Sequence, residues 1–372
     1  QLDKVTSAGL LIALGIIFGD IGTSPLYVMQ AIIGEKVIQD EVVFGAISLV
    51  FWTLTLQTTL KYVILMLRAD NKGEGGTLAL FALVRRHAPW LTVPTIIGGA
   101  ALLADGMITP PISVSSAVEG LEILYPNIQI IPIVIAIITI LFLVQIFGTQ
   151  VVGSAFGPIM LIWFTTLGVL GAGYIVVNPA VLQAINPVYG YKLLAEYPGG
   201  FWLLGAVFLC TTGAEALYSD LGHCGRGNVR VSWIYVKACL LLNYFGQAAW
   251  LVSHHGERLM GRKPFYEIMP DWFLLPGIII ATAATLIASH AIISGSFTMI
   301  SSAIRLNFWP KVRLNYPSNE KGQLYVPSIN ILLYLGCIAV VLYFKKSTNM
   351  EAAYGLTITV TMLMNTILFA YF

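Results

Sequence analysis

The chain contains a series of long apolar runs, and each is long enough to cross a lipid bilayer as a helix. About 20 consecutive apolar residues make a membrane-spanning helix. Of the 372 residues, 57% are hydrophobic and only 10% are charged, whereas soluble domains carry about 25% charged residues. With boundaries good to a few residues, we predict ten spans at 8–33, 43–66, 94–123, 127–147, 153–177, 201–219, 231–252, 273–304, 327–343 and 350–372. The sequence therefore predicts an all-α integral membrane protein. We expect no nucleic-acid partner, although the net charge of +2 says nothing about nucleic acid in so apolar a chain.

Basic residues in the connecting loops indicate the orientation of the spans, because cytoplasmic loops carry more Lys and Arg. With the N-terminus in the cytoplasm, the inner loops hold eleven of these residues and the outer loops hold seven, Lys263 among the latter. We therefore expect a multi-pass protein of the plasma membrane with a cytoplasmic N-terminus. The chain starts at Gln1 and stops at Phe372 inside an apolar run, so we expect the natural protein to extend further, especially at its C-terminus.

Two of the runs contain residues that interrupt a helix, and both interruptions include an acid. The first run contains GDIGTSP at 19–25, and the sixth contains TTGAE at 211–215. In a helix interior proline costs about 3 kcal/mol and glycine about 1 kcal/mol. Broken helices at corresponding positions in two halves are typical of inverted-repeat transporters that bind their substrate near the bilayer midplane. A purely structural kink is the alternative, since Gly and Pro are common in membrane helices.

Carboxylates inside the apolar runs are the second unusual feature. The four that lie well inside are Asp20, Asp105, Glu119 and Glu215. One charge at the bilayer centre costs at least about 2.5 kcal/mol, so four cost on the order of 10 kcal/mol unless they are paired or hydrated. The two lysines inside the runs, Lys61 and Lys237, are expected to extend to the membrane interface. Unpaired buried carboxylates are protonated or bind a cation, which suits a cation–proton symporter; for Glu119 alone, a structural hydrogen-bonded acid is an equal alternative.

Hydroxyl groups accompany these acids at helical spacing. Asp105, Thr109 and Ser113 recur every four residues and therefore share one helix face. Tyr27 follows Asp20 by seven residues, and in the sixth run Thr212 precedes Glu215 by three. Hydroxyl, carbonyl and carboxylate oxygens are the ligands that replace the hydration shell of an alkali cation. The spacing thus favours ligands over the commoner role of a membrane Thr or Ser, a bond to its own backbone.

Several stretches resemble the KUP/HAK/KT family of potassium uptake permeases. They are GIIFGDIGTSPLYV (15–28), GEGGTLALFALVRR (73–86), ADGMITPPISVSSAVEGL (104–121), FGP (156–158), CTTGAEALYSDLGH (210–223), LLLNYFGQAAWL (240–251) and IASHAIISGSF (287–297). The resemblance implies a LeuT-type fold of the amino-acid-polyamine-organocation superfamily, in which five plus five helices form an inverted repeat. We therefore expect 1–372 to be one transport domain with repeats at about 8–177 and 201–372. Family members usually have two further helices and a cytoplasmic C-terminal domain through which they can dimerise.

The resemblance also implies a role for individual residues. Cation-binding positions matching the family motifs are Asp20, Tyr27, Asp105, Thr109, Ser113, Thr212, Glu215 and Tyr354. Glu119 matches an acid of the family's SAVEGL stretch, and His290 stands where a glutamine is expected. We interpret His290 as a hydrogen-bonded structural histidine, with a local effect on the response to pH as the alternative.

The predicted function is potassium uptake by alternating access around a midplane site, in symport with protons. Glu215 is the first candidate for the proton carrier, Asp105 the second, and Glu119 the third. The predicted partners are potassium, protons and membrane lipid, with dimerisation through the cytoplasmic domain and no cofactor.

Other classes of protein fit the sequence less well. An amino-acid or polyamine permease of the same fold usually surrounds its substrate with an acid-free helix break, but here each break carries an acid. A channel would show a carbonyl-ring filter such as TVGYG, and the sequence has none. An intramembrane aspartyl protease would leave the two matching breaks unexplained. The stretch GEGG at 73–76 lacks the Lys and Ser or Thr of a phosphate loop, so we do not expect an enzyme.

Overall fold

The computed structural model describes residues 4–69, 75–85, 88–147, 150–219, 225–316 and 324–372. Within these ranges the chain is helical apart from turns and two isolated β-bridges, Val37 with Arg258 and Asn315 with Tyr325. Parts of two family-like stretches, residues 73, 74, 86 and 220–223, lie outside the described residues.

The α-helices in chain order are α1 Ser7–Ile16, α2 Gly19–Thr23, α3 Val28–Ile33, α4 Asp40–Thr53, α5 Thr77–Val84, α6 Thr92–Val118, α7 Leu121–Leu124, α8 Ile130–Val144, α9 Gln150–Val177, α10 Pro187–Glu196, α11 Leu204–Phe208, α12 Ala214–Ser219, α13 Arg226–Ser253, α14 Pro264–Glu267, α15 Asp271–Arg305, α16 Pro327–Phe344 and α17 Ser347–Ala370. Short 3-10 segments are Ser24–Leu26, Met66–Arg68, Pro89–Leu91, Gln145–Phe147, Pro179–Ile185, Gly200–Leu203 and Leu209–Thr211.

The described part of the chain has six helices long and apolar enough to cross a membrane, or seven if the bent pair at the N-terminus is one span. This confirms the prediction of an all-α integral membrane protein, but the number is below the ten predicted spans. The fourth run forms a helix of only 15 residues, Ile130–Val144. In the sixth run, the apolar helix Gly200–Thr211 ends at the predicted break. The seventh forms α13, which has 28 residues but a more polar composition that includes Lys237.

The two predicted breaks are real interruptions, and they touch each other. The first span turns by 63° between α1 and the segment Gly19–Leu26. The sixth is interrupted at Gly213, whose φ of +76° is left-handed. A Cβ atom on Gly213 would lie 2.9 Å from Asp20 Cβ, so the two breaks are in direct contact. Around them, α6 packs along α17 and α15, while α9 packs along α13 and α1.

The second span changes its hydrogen-bond pattern halfway, where α4 continues as a π-helix over Leu54–Leu65. Such segments occur frequently at functional sites. Within it, Lys61 Nζ donates to Thr366 Oγ1 at 2.6 Å on α17. Lys237 Nζ donates to Thr55 Oγ1 at 3.0 Å. The two intramembrane lysines therefore donate hydrogen bonds to hydroxyl groups of neighbouring helices. The sequence had led us to expect only that they extend to the membrane interface.

Candidate cation-binding site

The eight predicted cation-binding side chains lie close together at the contact between the two breaks and the facing helices α6 and α17. Every one of them is buried, with at most 4% of the residue exposed. Asp20 belongs to α2, Tyr27 lies between Ser24–Leu26 and α3, and Thr212 and Glu215 flank the break at Gly213. The remaining four lie on α6 and α17, and they are Asp105, Thr109, Ser113 and Tyr354.

A continuous chain of oxygen atoms connects two of the acids across three helices. The Tyr354 hydroxyl donates to the Asp20 carboxylate at 3.4 Å. Thr109 Oγ1 lies 3.0 Å from the Tyr354 hydroxyl and 2.9 Å from Asp105 Oδ1. Thr109 has a single hydroxyl proton and can donate to only one of these neighbours at a time. The two hydroxyl protons therefore cannot complete all three links unless one of the carboxyl groups is protonated.

A second set of hydroxyl contacts lies at the two breaks, and one of these contacts joins the break of the first span to the break of the sixth span. Ser24 Oγ lies 2.6 Å from Thr212 Oγ1. Thr23 Oγ1 donates to the Asp20 carbonyl at 2.9 Å and lies 3.5 Å from Ser113 Oγ. The sequence reasoning missed Thr23 and Ser24 as site residues. Their position inside the interrupted stretch at 19–25 was the signal that could have identified them.

Tyr27 contributes a hydroxyl group that has no hydrogen-bond partner among the described residues although it is buried. Its ring packs edge-on against the Tyr354 ring, with the centroids 6.2 Å apart. A buried hydroxyl without a partner carries the full cost of its desolvation, about 1–3 kcal/mol. The hydroxyl oxygen is thus available to coordinate a cation.

A small cavity opens beside these oxygens and contains the third acid. Its volume is about 40 Å³, and its lining includes Asp105, Gly213, Glu215, Ser219 and Ser296. The Glu215 Oε1 atom is buried and accepts no hydrogen bond from the described residues. A cavity of this size with polar groups can hold at least one water molecule, and a bare potassium ion is of similar size.

The donor set is suited to an alkali cation rather than to a transition metal. Among the described residues no three His, Cys, Asp or Glu side chains converge as metal ligands would. The available groups are hydroxyl and carboxylate oxygens. Hard oxygen ligands bind alkali and alkaline-earth cations, whereas imidazole and thiolate select transition metals.

Glu119 is separate from this group of oxygens. Its carboxylate forms an ion pair with Lys263 Nζ, and Ser347 donates to it from both its backbone amide (2.8 Å) and its hydroxyl (2.6 Å). Glu119 is therefore not one of the unpaired buried carboxylates that the sequence pattern suggested. Lys263 was counted as an outer-loop residue, yet only 7% of it is exposed.

His290 is also outside the group. Its ring packs edge-on against Phe156, with centroids 5.4 Å apart, and its Nε2 atom has no hydrogen-bond partner in the described part of the chain. The histidine is buried, as expected for a structural residue. Its backbone carbonyl accepts from Gln145 Nε2 at 3.5 Å.

Apolar spans, two touching helix breaks and a buried group of oxygen donors define a multi-pass integral membrane protein with a polar site between its helices. The profile of the family described as "K+ potassium transporter integral membrane domain" matches residues 7–372. The chain therefore belongs to this potassium transporter family, whose members are transporters and not enzymes.

Relatives with high sequence identity carry names that agree with this family. The chain is 64% identical to the "probable potassium transport system protein Kup" of Cytophaga hutchinsonii, over 99% of this chain and 57% of that protein. It is 60% identical to the protein of the same name from Flavobacterium psychrophilum, over 99% of this chain and 57% of that protein. A relative from Clostridium perfringens is 54% identical, over 99% of this chain and 58% of that protein. The chain thus spans less than two thirds of the length of these relatives.

Proposed function

We propose that the chain forms the membrane core of a potassium uptake transporter of the KUP/HAK/KT type. Potassium binds at the contact between the two breaks and helices α6 and α17. The observation that carries the proposal is the chain of oxygens from Asp20 through Tyr354 and Thr109 to Asp105. Support for a cation site comes from the close contacts between carboxylates and hydroxyls of three helices in this chain. The names of the 64% and 60% identical relatives favour potassium as that cation.

The proposed transport mechanism is alternating access in a LeuT-type fold of the amino-acid-polyamine-organocation superfamily. Repeats of five helices each would occupy about 8–177 and 201–372, with their broken helices meeting at the site. Support comes from the contact between Gly213 and Asp20, because each belongs to the break of its own half. The protein would lie in the plasma membrane with its N-terminus in the cytoplasm, where the basic loops face inward. Dimerisation through a cytoplasmic C-terminal domain is part of the same proposal.

The proposal of proton coupling is supported by the proton count at the site. Three oxygen–oxygen links and two hydroxyl protons leave the chain one proton short unless Asp105 or Asp20 is protonated. A cation among the same oxygens would favour both carboxylates in their charged form. In symport the proton travels with potassium, so it is carried by a carboxylate that gains its proton as potassium arrives and loses it as potassium leaves. Glu215 is the first candidate for the carrier, because its free Oε1 lies at the cavity; Asp105 is the second.

Glu119 is the weakest of the three proton-coupling candidates. Its carboxylate already has an ammonium and two Ser347 donors as partners, and these all stabilise the charged form.

Symport of two cations is energetically sensible for uptake. Each charge moving inward gains about 2.3 kcal/mol per 100 mV of membrane potential. Two charges gain about 4.6 kcal/mol, which supports a concentration gradient of about a thousandfold, since 1.4 kcal/mol is a factor of ten.

The test is rubidium uptake into proteoliposomes that contain the full-length protein, with and without an inward proton gradient. We compare the native protein with Glu215→Gln and with the control Glu122→Gln, which alters an exposed acid in α7. Gradient-stimulated uptake that only Glu215→Gln uncouples supports potassium–proton symport. If uptake changes neither with the proton gradient nor with the Glu215→Gln substitution, proton coupling is rejected and potassium transport is retained. If no alkali cation is transported under any condition, the potassium assignment itself is wrong and a permease for amino acids or polyamines replaces it.

A further inference from the structure

Lys263 is buried at the end of the bundle opposite to the N-terminus. It lies in the connection between α13 and α14, where polar residues normally face water, yet only 7% of it is exposed. A lysine is almost never fully buried unless its ammonium is paired. Here the ammonium pairs with Glu119 and donates to Ser347 Oγ at 3.2 Å.

These three residues join parts of the chain that are far apart in sequence. Glu119 follows the last turn of α6, Lys263 precedes α14, and Ser347 is the first residue of α17. The Glu119 carboxylate accepts from Lys263 and from both the amide and the hydroxyl of Ser347. We call this group of Glu119, Lys263 and Ser347 the Lys263 clamp.

Neighbouring contacts hold the connection against the end of α6. The Tyr266 hydroxyl donates to the Ala117 carbonyl at 2.7 Å. Its ring also lies against Gly120, where a Cβ atom would come within 2.7 Å of the ring. Glu351, one turn into α17, adds a carboxylate whose Oε1 atom is buried without a hydrogen-bond partner in the described residues.

The clamp lies directly beyond the candidate site on the same two helices. Glu119 is ten residues after Thr109, about 15 Å along α6 at 1.5 Å per residue. Ser347 is seven residues before Tyr354, about 10 Å along α17 at the same rise per residue. Thr109 and Tyr354 form the middle of the oxygen chain. The clamp therefore joins the ends of the two helices that carry Thr109 and Tyr354.

We propose that the Lys263 clamp is the outer gate of the transporter, closed in this structure and broken when potassium enters from outside. The inference rests on the proposed function and adds Lys263 and Ser347 as gating residues. Breaking the ion pair separates α6 from α17 at their outer ends and exposes the oxygen chain to water. Losing Lys263 alone leaves a buried carboxylate without its cation, which strongly favours a hydrated, open arrangement.

The experiment measures whether the path under the clamp is open. Ser116 lies on α6 between Ser113 and Glu119, and its hydroxyl is buried without a hydrogen-bond partner among the described residues. We place Ser116→Cys in the full-length protein with the native cysteines replaced. A membrane-impermeant methanethiosulfonate is then applied to intact cells and, separately, to inverted vesicles.

With the clamp intact we expect slow labelling from outside. Lys263→Met should raise that rate by about 5-fold to 150-fold, the usual range of coupling between two states, with no rise from the inner side. The matched control is Lys192→Met, an exposed lysine on the surface helix α10, and it should leave the rate unchanged. Removing both charges with Glu119→Gln and Lys263→Met should return the rate toward that of the closed protein.

An unchanged labelling rate in folded Lys263→Met protein overturns the proposal. If that variant is not recovered folded, Ser347→Ala replaces it, because it keeps the ion pair and removes one hydroxyl. That variant should raise the labelling rate by about 2-fold to 10-fold, the effect expected from losing one hydrogen bond. No increase in the rate again overturns the gate. Rubidium flux measured in parallel separates the two proposals. If labelling depends on the clamp but the protein carries no rubidium flux, the gate is retained and potassium transport is rejected. If the protein carries rubidium flux but labelling does not depend on the clamp, potassium transport is retained and the gate is rejected.

Discussion

Gly213 and Asp20, which are 193 positions apart, lie so close that a Cβ atom on Gly213 would be 2.9 Å from Asp20 Cβ and 3.1 Å from its Oδ2. Gly213 also has a left-handed φ of +76°. The glycine is therefore needed twice, for its backbone conformation and for the approach of the acid. The contact positions the Asp20 carboxylate against the break of the sixth span.

We expect Gly213→Ala to lower both stability and potassium uptake. The left-handed conformation costs an alanine about 1–2 kcal/mol, and the added methyl group displaces Asp20. Uptake should fall by about tenfold or more, since 1.4 kcal/mol corresponds to tenfold. The control is Gly173→Ala in α9, where nothing lies within 4 Å of the added atom and alanine favours the helix. Thermal unfolding and rubidium uptake are measured together; normal uptake in Gly213→Ala would contradict the role assigned to this contact.

Thr109→Val tests the middle of the oxygen chain at nearly constant volume. The change removes the hydroxyl that contacts both Asp105 and Tyr354. Hydrogen bonds to charged groups contribute about 1.5–3 kcal/mol, so apparent affinity for potassium should fall by at least about tenfold. Thr166→Val serves as control, because within the described residues that hydroxyl bonds only the Ile162 carbonyl of its own helix, at 2.9 Å. If the two variants have equal half-saturation concentrations for potassium, Thr109 is not a ligand of the site.

Local residue patterns were sufficient to predict the two breaks, because Gly and Pro act on the backbone within a few residues. The face formed by Asp105, Thr109 and Ser113 was predictable for the same reason. By length and composition, six or seven helices of the described residues qualify as spans, since the fourth predicted run forms the 15-residue helix α8 and the sixth is divided at Gly213. Pairing of Lys263 with Glu119 could not be predicted, since it joins residues 144 positions apart. A loop position alone does not indicate that a lysine folds back into the bundle.

Tyr27→Phe separates a ligand from a structural residue. The Tyr27 hydroxyl is buried and has no hydrogen-bond partner in the described residues, so its removal should keep or raise stability in the absence of potassium. Stabilisation could reach about 1–3 kcal/mol, the cost of an unsatisfied buried group. Affinity for potassium should nevertheless fall if the oxygen is a ligand.

Tyr354→Phe is the matched comparison, because its hydroxyl contacts Asp20 and Thr109. That change should lower both stability and affinity. Thermal unfolding without potassium and rubidium binding are the two measurements. A Tyr27→Phe protein with unchanged rubidium binding would restrict Tyr27 to packing against the Tyr354 ring.

Potassium itself should stabilise the protein, because an ion that binds only the folded state adds about 2.7 kcal/mol at one hundred times its dissociation constant. We expect the melting temperature of the detergent-solubilised protein to rise with potassium or rubidium chloride and to stay constant with choline chloride at equal ionic strength. Asp105→Asn should abolish most of the rise, because Asp105 lies both on the oxygen chain and at the cavity. Glu122→Gln should keep the full rise, since that acid is exposed. A rise of equal size in the Asp105→Asn protein would mean that potassium binds elsewhere, and the cavity beside Glu215 would then have no role in selecting the cation.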